Sequence, residues 1–227
     1  MKEDTAVIIP VFNEEKIVLK VIRSVKKYFN VVICVDDGSS DRSSEVILHS
    51  KATLVKHPIN LGAGAATQTG IDFALQNKQI KYFVTIDADD QHNIEDALRM
   101  LKSLRDNKLD IVFGSRFIGS VESISKFKKL FLKTAAIFSA RTSGIYLSDP
   151  HIGLRVFNRN FAENLNLTLP DFSHASEIIH RVADGKFKYA EVPVHVSYSD
   201  YSKSKGQPML NSVNITTDLF FHRISKK

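Results

Sequence analysis

The feature that most constrains the fold is the alternation of short apolar runs with amphipathic segments over the first 117 residues. The runs are rich in β-branched residues and predict strands over residues 5–11, 31–35, 53–56, 82–86 and 110–114. The segments between them repeat apolar residues at helical spacing. Strands alternating with helices favour parallel pairing through right-handed crossovers. We therefore expect an α/β fold with a doubly wound, mostly parallel sheet.

The pattern changes beyond residue 119. It predicts a basic amphipathic helix over residues 124–140 and a polar turn that enters a strand over 149–157. A helix over 174–183, a strand over 187–198 and a final amphipathic helix over 209–224 follow. Pro193 lies inside the last of these strands and has no N–H to donate, so we expect that strand to be bulged or at a sheet edge.

Charge and cysteine content limit the partners and the compartment. Lys and Arg number 31 against 25 Asp and Glu, which implies an anionic partner: nucleic acid, phosphates or a membrane surface. The single cysteine, Cys34, lies in an apolar run and is predicted to be a core residue, which fits a reducing compartment. We find no signal peptide and no apolar run near the roughly 20 residues that cross a bilayer. We expect a cytoplasmic protein.

Three carboxylates and an amide follow the run at 82–86, at the strand end where open α/β sheets bind ligands. In an extended segment Asp87, Asp89 and Gln91 point the same way. Their oxygens would suit Mg²⁺ or Mn²⁺, with substrate phosphates completing the shell. The alternative is a solvated acidic turn that caps the next helix, and spacing alone does not separate the two.

Polar and small residues also follow the earlier strands. We expect Asn13 to be the N-cap of the first helix, with Glu14 in its first turn, where it is either a capping residue or a ligand. Asp41 is expected to cap the second helix. Gly62 and Gly64 are expected to allow close helix packing more than direct phosphate contact.

Five motifs occur in order, each at a strand end: Pro-Val-Phe-Asn-Glu at 10–14, Val-Asp-Asp-Gly-Ser at 35–39, Asn-Leu-Gly-Ala-Gly at 60–64, Asp-Ala-Asp at 87–89 and Gly-Ser-Arg at 114–116. Together they resemble the family 2 glycosyltransferases of the GT-A fold, in particular the dolichyl- or polyprenyl-phosphate hexose synthases. The resemblance implies a Rossmann-like sheet with amphipathic C-terminal helices in one domain over 1–227. Residues 1–119 would bind the nucleotide sugar, and 120–227 would face acceptor and membrane.

The resemblance also implies roles for single residues. Pro10, Phe12 and Glu14 would line the nucleotide pocket, Val35 would pack against the base, and Asp37 would hold the base or ribose. The motif of Asp87, Ala88 and Asp89 would bind the donor, with Asp87, Asp89 and Gln91 as ligands of Mg²⁺ or Mn²⁺. Arg116 and Lys205 would face phosphates. The synthases often carry an arginine six residues before the loop lysine, and here that position is Ser199.

The implied chemistry is a metal-dependent, inverting transfer of a hexose to a polyprenyl phosphate. The metal and Arg116 would stabilise the departing diphosphate. A phosphate acceptor is already an anionic nucleophile, whereas a hydroxyl of a glycan or lipid, the alternative acceptor, needs a general base. Asp149 and Glu177 are the candidates for that base, although Asp149 could equally cap the turn before Pro150.

The partners follow from the same resemblance. The helix at 124–140 pairs lysines with phenylalanines, which suits a membrane surface or, alternatively, a core helix with a solvated basic face. We therefore expect a peripheral protein on the cytoplasmic face of a membrane, where a membrane subunit could be its partner. We expect no nucleic-acid partner.

Two other functions are alternatives. A sugar nucleotidylyltransferase would require a glycine-rich, basic loop directly after the first strand, where this sequence has Phe-Asn-Glu at 12–14. A non-catalytic binding module would not need to keep Asp87, Asp89 and Arg116 together.

Overall fold

The computed structural model describes residues 3–118, 144–150, 152–169 and 174–197. The strands in these ranges are β1 (Thr5–Val11), β2 (Val31–Asp36), β3 (Thr53–Lys56), β4 (Tyr82–Thr85), β5 (Ile111–Ser115), β6 (Arg155–Asn158) and β7 (Tyr189–Pro193). The helices are α1 (Val18–Lys26), α2 (Ser43–His49), α3 (Ala63–Leu75), α4 (Ile94–Asp106), α5 (Arg159–Glu163) and α6 (His174–Asp184).

The strands form one seven-stranded sheet in the order β3-β2-β1-β4-β6-β5-β7. All neighbours pair in parallel except β6, which runs antiparallel to both β4 and β5. The prediction of a doubly wound, mostly parallel α/β sheet is confirmed. The strand predicted over 187–198 is shorter, but it does lie at an edge, and Pro193 is its last residue. The next residue, Val194, donates its N–H to the Ser115 carbonyl at 3.1 Å, so the N–H that Pro193 lacks would have faced the open edge and not β5.

The sheet carries a hydrophobic core on each face. Helices α1, α2 and α4 cover one face, and α3, α5 and α6 cover the other. Cys34 is buried in the first core, as predicted, and burial raises the pKa of its thiol to about 12. The thiol is therefore protonated and unreactive at neutral pH.

The sheet opens a crevice between β1 and β4. The chain leaves β1 for β2 on one side and returns to β4 on the other, which is the arrangement that creates a ligand crevice at the carboxyl ends of the strands. The last β1–β4 pair is Ile8 with Thr85, after which the Ile86 N–H donates to the Ile8 carbonyl. Pro10 comes two residues later on the same side of β1, where β4 has already diverged. Its missing N–H therefore costs no ladder bond.

Several predicted segments lie outside the described residues: the basic helix at 124–140, the loop that carries Lys205, and the helix at 209–224. In the part of the chain that the structure describes, every helix is too short or too polar to cross a membrane.

Candidate active site

The turn after β1 is shaped by bonds to the turn after β2. The prediction that Asn13 caps α1 is wrong, because Asn13 has a left-handed backbone (φ 55°) and α1 begins five residues later, at Val18. The Asn13 side-chain oxygen instead accepts a hydrogen bond from the Ser40 N–H at 2.9 Å, and the Asn13 N–H donates to Ser39 Oγ at 2.9 Å. The Glu14 N–H donates to Ser43 Oγ at 2.8 Å. Three hydrogen bonds therefore join the two turns.

Asp41 strengthens this link at the start of α2. Its carboxylate accepts the N–H of Ser43, the first residue of α2, at 2.9 Å, as expected of a capping carboxylate, although the N-cap residue itself is Arg42. The other oxygen accepts the Glu15 N–H at 3.1 Å.

Asp37 connects the turn after β2 to the loop after β3. Its buried carboxylate accepts the N–H groups of Leu61 and Gly62 at 2.9 and 2.8 Å, and it lies 2.7 Å from Nδ1 of His57. Gly38 is required beside it, because its φ is +72° and a Cβ there would lie 2.4 Å from the carbonyl carbon of Ile59. In this structure Asp37 holds the loop, and its contact with a base or ribose stays a prediction.

The other predicted donor-pocket residues differ in exposure. Phe12 is 46% exposed beside the crevice, and Pro10 and Glu14 are partly buried there. Val35 is fully buried in the core, where a Cβ on Gly70 would lie 3.2 Å from its Cγ2. A contact between Val35 and a base therefore stays a prediction. Gly64 packs against His174 and Leu169, which agrees with the expected role in close helix packing.

The acidic stretch after β4 is a turn. The expectation of an extended segment is wrong, because the chain turns at 88–89 and Asp90 takes a left-handed conformation (φ 62°). Gln91 donates its N–H and its side-chain amide to Asp89, at 3.1 and 2.6 Å. Asp87 instead lies 3.3 Å from Nε2 of His92. The side chains of Asp87, Asp89 and Gln91 therefore are not aligned as they would be in an extended strand. The role of Gln91 as a metal ligand stays a prediction.

The two carboxylates of this turn have different electrostatic surroundings. Burial, together with the charges of Asp87 and Glu14, raises the pKa of Asp89 to about 6. Burial also acts to raise the pKa of Asp87, but the hydrogen bond from His92 and the positive charges of His92, Arg155 and His174 outweigh it and lower that pKa. Ala88, between them, is buried.

This donor set fits a divalent cation. No three His, Cys, Asp or Glu side chains in the described ranges form a ready-made metal shell. Asp87 and Asp89, however, place two carboxylates on this turn that could ligate a cation, and Mg²⁺ characteristically binds through one or two carboxylates plus phosphates. Burial and the neighbouring charge of Asp87 both disfavour the ionised form of Asp89 and raise its pKa, and a bound cation would favour that form.

Two residues that the sequence did not single out surround Asp87. Arg155, in β6, is 2% exposed, and burial lowers the pKa of its guanidinium to about 10 despite the carboxylates of Asp87 and Asp149. Gly153 lies so close to Asp87 that a Cβ there would be 2.1 Å from Oδ2. An arginine inside the apolar run Leu-Arg-Val-Phe at 154–157 was the sequence signal for the first of them.

Arg116 and Asp149 form an ion pair at the end of β5. Nε of Arg116 donates to Oδ2 of Asp149 at 2.6 Å, and Nη2 donates to Oδ1 at 2.6 Å. The Arg116 N–H also donates to Oδ2, at 3.1 Å. The Asp149 side chain is only 1% exposed. Asp149 thus holds the arginine for which the family resemblance implies a contact with phosphate, and that contact stays a prediction.

Glu177, the other candidate base, is also engaged. Its carboxylate accepts the N–H and hydroxyl of Thr168 and the N–H of Leu169, at 2.7–3.1 Å. It therefore holds the backbone at Thr168 and Leu169. Lys205, the second predicted phosphate ligand, lies outside the described residues.

Comparisons with known proteins agree with this geometry. The family model described as glycosyl transferase family 2 matches residues 6–184. The UDP-N-acetylglucosamine–dolichyl-phosphate N-acetylglucosaminyltransferase of Methanococcus voltae is 26% identical over 96% of this chain and 96% of its own. The polyprenol monophosphomannose synthase of Mycolicibacterium smegmatis is 27% identical over 88% of this chain and 80% of its own.

The fold has a counterpart among solved structures. Glucosyl-3-phosphoglycerate synthase from Mycobacterium tuberculosis, crystallised with Mn²⁺, UDP and glucosyl-3-phosphoglycerate, matches with a TM-score of 0.71 at 16% identity. The match covers 98% of this chain and 79% of that one. The expected GT-A fold is confirmed. The chain belongs to the family 2 glycosyltransferases.

Proposed function

We propose that this glycosyltransferase moves a hexose from a nucleotide sugar to a polyprenyl phosphate, with inversion, and uses Mg²⁺ or Mn²⁺ at the acidic turn. Two relatives that align along most of the chain are named for dolichyl-phosphate or polyprenol substrates, which supports this acceptor class. A lipid acceptor requires work at a membrane surface, and the basic sequence at 124–140 is the predicted contact.

The observation that supports a phosphate acceptor is that both candidate general bases are already engaged in hydrogen bonds. Both oxygens of Asp149 are bonded to Arg116, and both oxygens of Glu177 are bonded to Thr168 and Leu169. A hydroxyl acceptor needs a base within hydrogen-bond reach of its proton. A phosphate oxygen is already an anion, so its attack on the anomeric carbon requires no proton transfer.

The step is then a single displacement. A phosphate oxygen of the acceptor forms the new bond to the anomeric carbon while the bond to the donor diphosphate breaks, and the electron pair leaves with the nucleoside diphosphate. A bound cation would neutralise negative charge on that leaving group. On this proposal Asp87 and Asp89 bind the cation, and Arg116, oriented by Asp149, stabilises phosphate charge.

A two-stage assay tests the proposal. A panel of nucleotide sugars with Mn²⁺ first identifies the donor by the rise in melting temperature that a ligand of the native state causes. The labelled donor is then offered with a polyprenyl phosphate or with the matching polyprenol. We expect label in the phosphate alone. Transfer to the alcohol at a comparable rate would overturn the acceptor class and support a hydroxyl acceptor.

A further inference from the structure

We propose that Glu191 is a positioning residue that orients the Arg116 guanidinium through Ser148 and Asp149. The inference deepens the proposed function, on which its kinetic test rests. Glu191 lies in the edge strand β7, beside Phe113 of β5, and it contacts neither the acidic turn nor the turn after β1 through any hydrogen bond among the described residues.

A network of hydrogen bonds links Glu191 to Arg116 in two arms. In the first arm, Glu191 accepts hydrogen bonds from two successive backbone amides. Oε1 of Glu191 accepts the Ser148 N–H and the Ser148 hydroxyl, both at 2.8 Å, and the Asp149 N–H at 3.3 Å. Oε2 accepts the Ser148 N–H at 3.0 Å. A carboxylate that receives several bonds of this kind fixes the segment more strongly than neutral acceptors do. The backbone of Asp149 is thereby held against β7.

The second arm returns to the backbone around Arg116. Oγ of Ser148 lies 2.5 Å from Oγ of Ser115, which in turn accepts the Phe117 N–H at 3.2 Å. Arg116 is therefore flanked by two residues of the network, and its side chain is held by Asp149. Both arms meet at Ser148, and Ser148 is held by Glu191.

The consequence is catalytic because Arg116 must meet developing phosphate charge in a fixed position. Loss of Glu191 leaves the Ser148 and Asp149 amides without their carboxylate, so Asp149 and the guanidinium shift together. A displacement of about 1 Å costs on the order of 10²-fold in rate. The loss falls on kcat, because the charge that Arg116 meets is greatest in the transition state.

The kinetic test compares Glu191→Ala, Glu191→Gln and Asp110→Ala. Asp110 is a matched control: it also links strands through a carboxylate, accepting the Asn158 side chain at 2.9 Å and the Lys188 N–H at 2.8 Å, but at the opposite end of β5. We expect Glu191→Ala to lower kcat about 10²-fold with a much smaller change in donor KM. Glu191→Gln, which keeps one acceptor oxygen, should recover most of the rate, and Asp110→Ala should leave kcat near normal.

A double variant tests whether Glu191 acts through Arg116. The variant Glu191→Ala/Arg116→Ala should be no slower than Arg116→Ala, because the arginine that Glu191 positions is gone. Losses that multiply would show that Glu191 acts elsewhere and would overturn the inference.

A spectroscopic readout separates this inference from the proposed function. The Nε–H resonance of Arg116, identified by its loss in Arg116→Lys, should move in Glu191→Ala and stay in place in Asp110→Ala. If Glu191→Ala does not fold, Ser148→Ala gives the same readout. An unmoved resonance in a folded variant would overturn the inference. A wild-type protein that transfers no sugar would overturn the proposed function alone, since the resonance needs no turnover.

Discussion

Arg116 and Asp149 face one another through two parallel bonds of 2.6 Å, with side chains that are 16% and 1% exposed. A planar guanidinium and a carboxylate in this two-pronged arrangement fix one another in direction as well as in distance. The pair explains why a carboxylate at this strand end need not be a base. In this structure the Asp149 carboxylate holds the Arg116 guanidinium.

This burial predicts a large stability cost when the pair is broken. Asp149→Ala removes the carboxylate that pairs with the largely buried Arg116 guanidinium, and we expect the free energy of unfolding to fall by about 3–5 kcal/mol. Urea unfolding measures it. Glu163→Ala is the control, because it removes a carboxylate whose side chain is 52% exposed and that pairs with Arg159 at 2.7 Å along one helix turn. That change should cost no more than about 0.5 kcal/mol, and equal losses in both variants would contradict the assignment.

The acidic turn predicts an unusual dependence of stability on pH. The pKa of Asp89 is raised from 3.8 to about 6 in the folded protein. Between these values the folded state retains a proton that the unfolded state has lost, so the stability of the metal-free protein falls as pH rises through this window. Above pH 6 the penalty is complete, on the order of 1–2 kcal/mol for this partly exposed group.

The variant Asp89→Asn checks this sign. In the presence of a chelator it should melt at a higher temperature than the wild type at pH 7.5, and the difference should vanish near pH 4. A wild type that is the more stable of the two at pH 7.5 without metal would show that Asp89 carries no such penalty.

Local patterns predicted most of the strands and helices but only part of the site. The apolar run at 5–11 agrees with β1, because burial on both faces of a parallel sheet leaves a continuous apolar signature. The short run at 53–56 agrees with β3, which lies at the sheet edge and is only partly buried. The prediction that Asp87, Asp89 and Gln91 point the same way was wrong. It assumed an extended chain, whereas the chain turns here and Asp90 has a left-handed backbone.

Long-range contacts account for what the sequence left open. Glu191 reaches Ser148 across 43 residues, and Arg155 lies near Asp87 only because the antiparallel β6 inserts between β4 and β5. No local period encodes that insertion. The Asn13 side chain likewise accepts a hydrogen bond from the Ser40 N–H, 27 residues away, and does not cap the helix that follows it.

Gly153 offers a steric test of Asp87. A methyl group at this position would lie 2.1 Å from Oδ2 of Asp87, so Gly153→Ala must displace the carboxylate or the backbone. We expect the Mn²⁺-dependent part of nucleoside diphosphate binding to weaken while the fold persists, as judged by calorimetry and circular dichroism. Unchanged metal-dependent binding would show that Asp87 does not act from its present position.

The basic sequence at 124–140 predicts attachment to anionic vesicles. Lysines 126, 128, 129 and 133 accompany three phenylalanines there. Each basic residue near an anionic surface contributes about 1 kcal/mol, and salt screens this contribution. Changing the four lysines to glutamate should release the protein from phosphatidylserine vesicles in co-sedimentation without altering nucleotide binding. Equal pelleting of the two proteins would exclude this segment as the contact.

The central claim is that the turn after β4 binds the cation and the diphosphate, and titration calorimetry of a nucleoside diphosphate with and without Mn²⁺ tests it directly. Asp89→Ala should abolish the metal-dependent part of the affinity in a folded protein, because it removes a carboxylate that the cation needs. Asp90→Asn is the matched control, since the neighbouring Asp90 carboxylate pairs with Lys20 at 2.5 Å and asparagine tolerates its left-handed backbone. Wild-type metal dependence in Asp90→Asn and none in Asp89→Ala is the predicted result; an Asp89→Ala protein whose affinity still responds fully to Mn²⁺ would contradict the account.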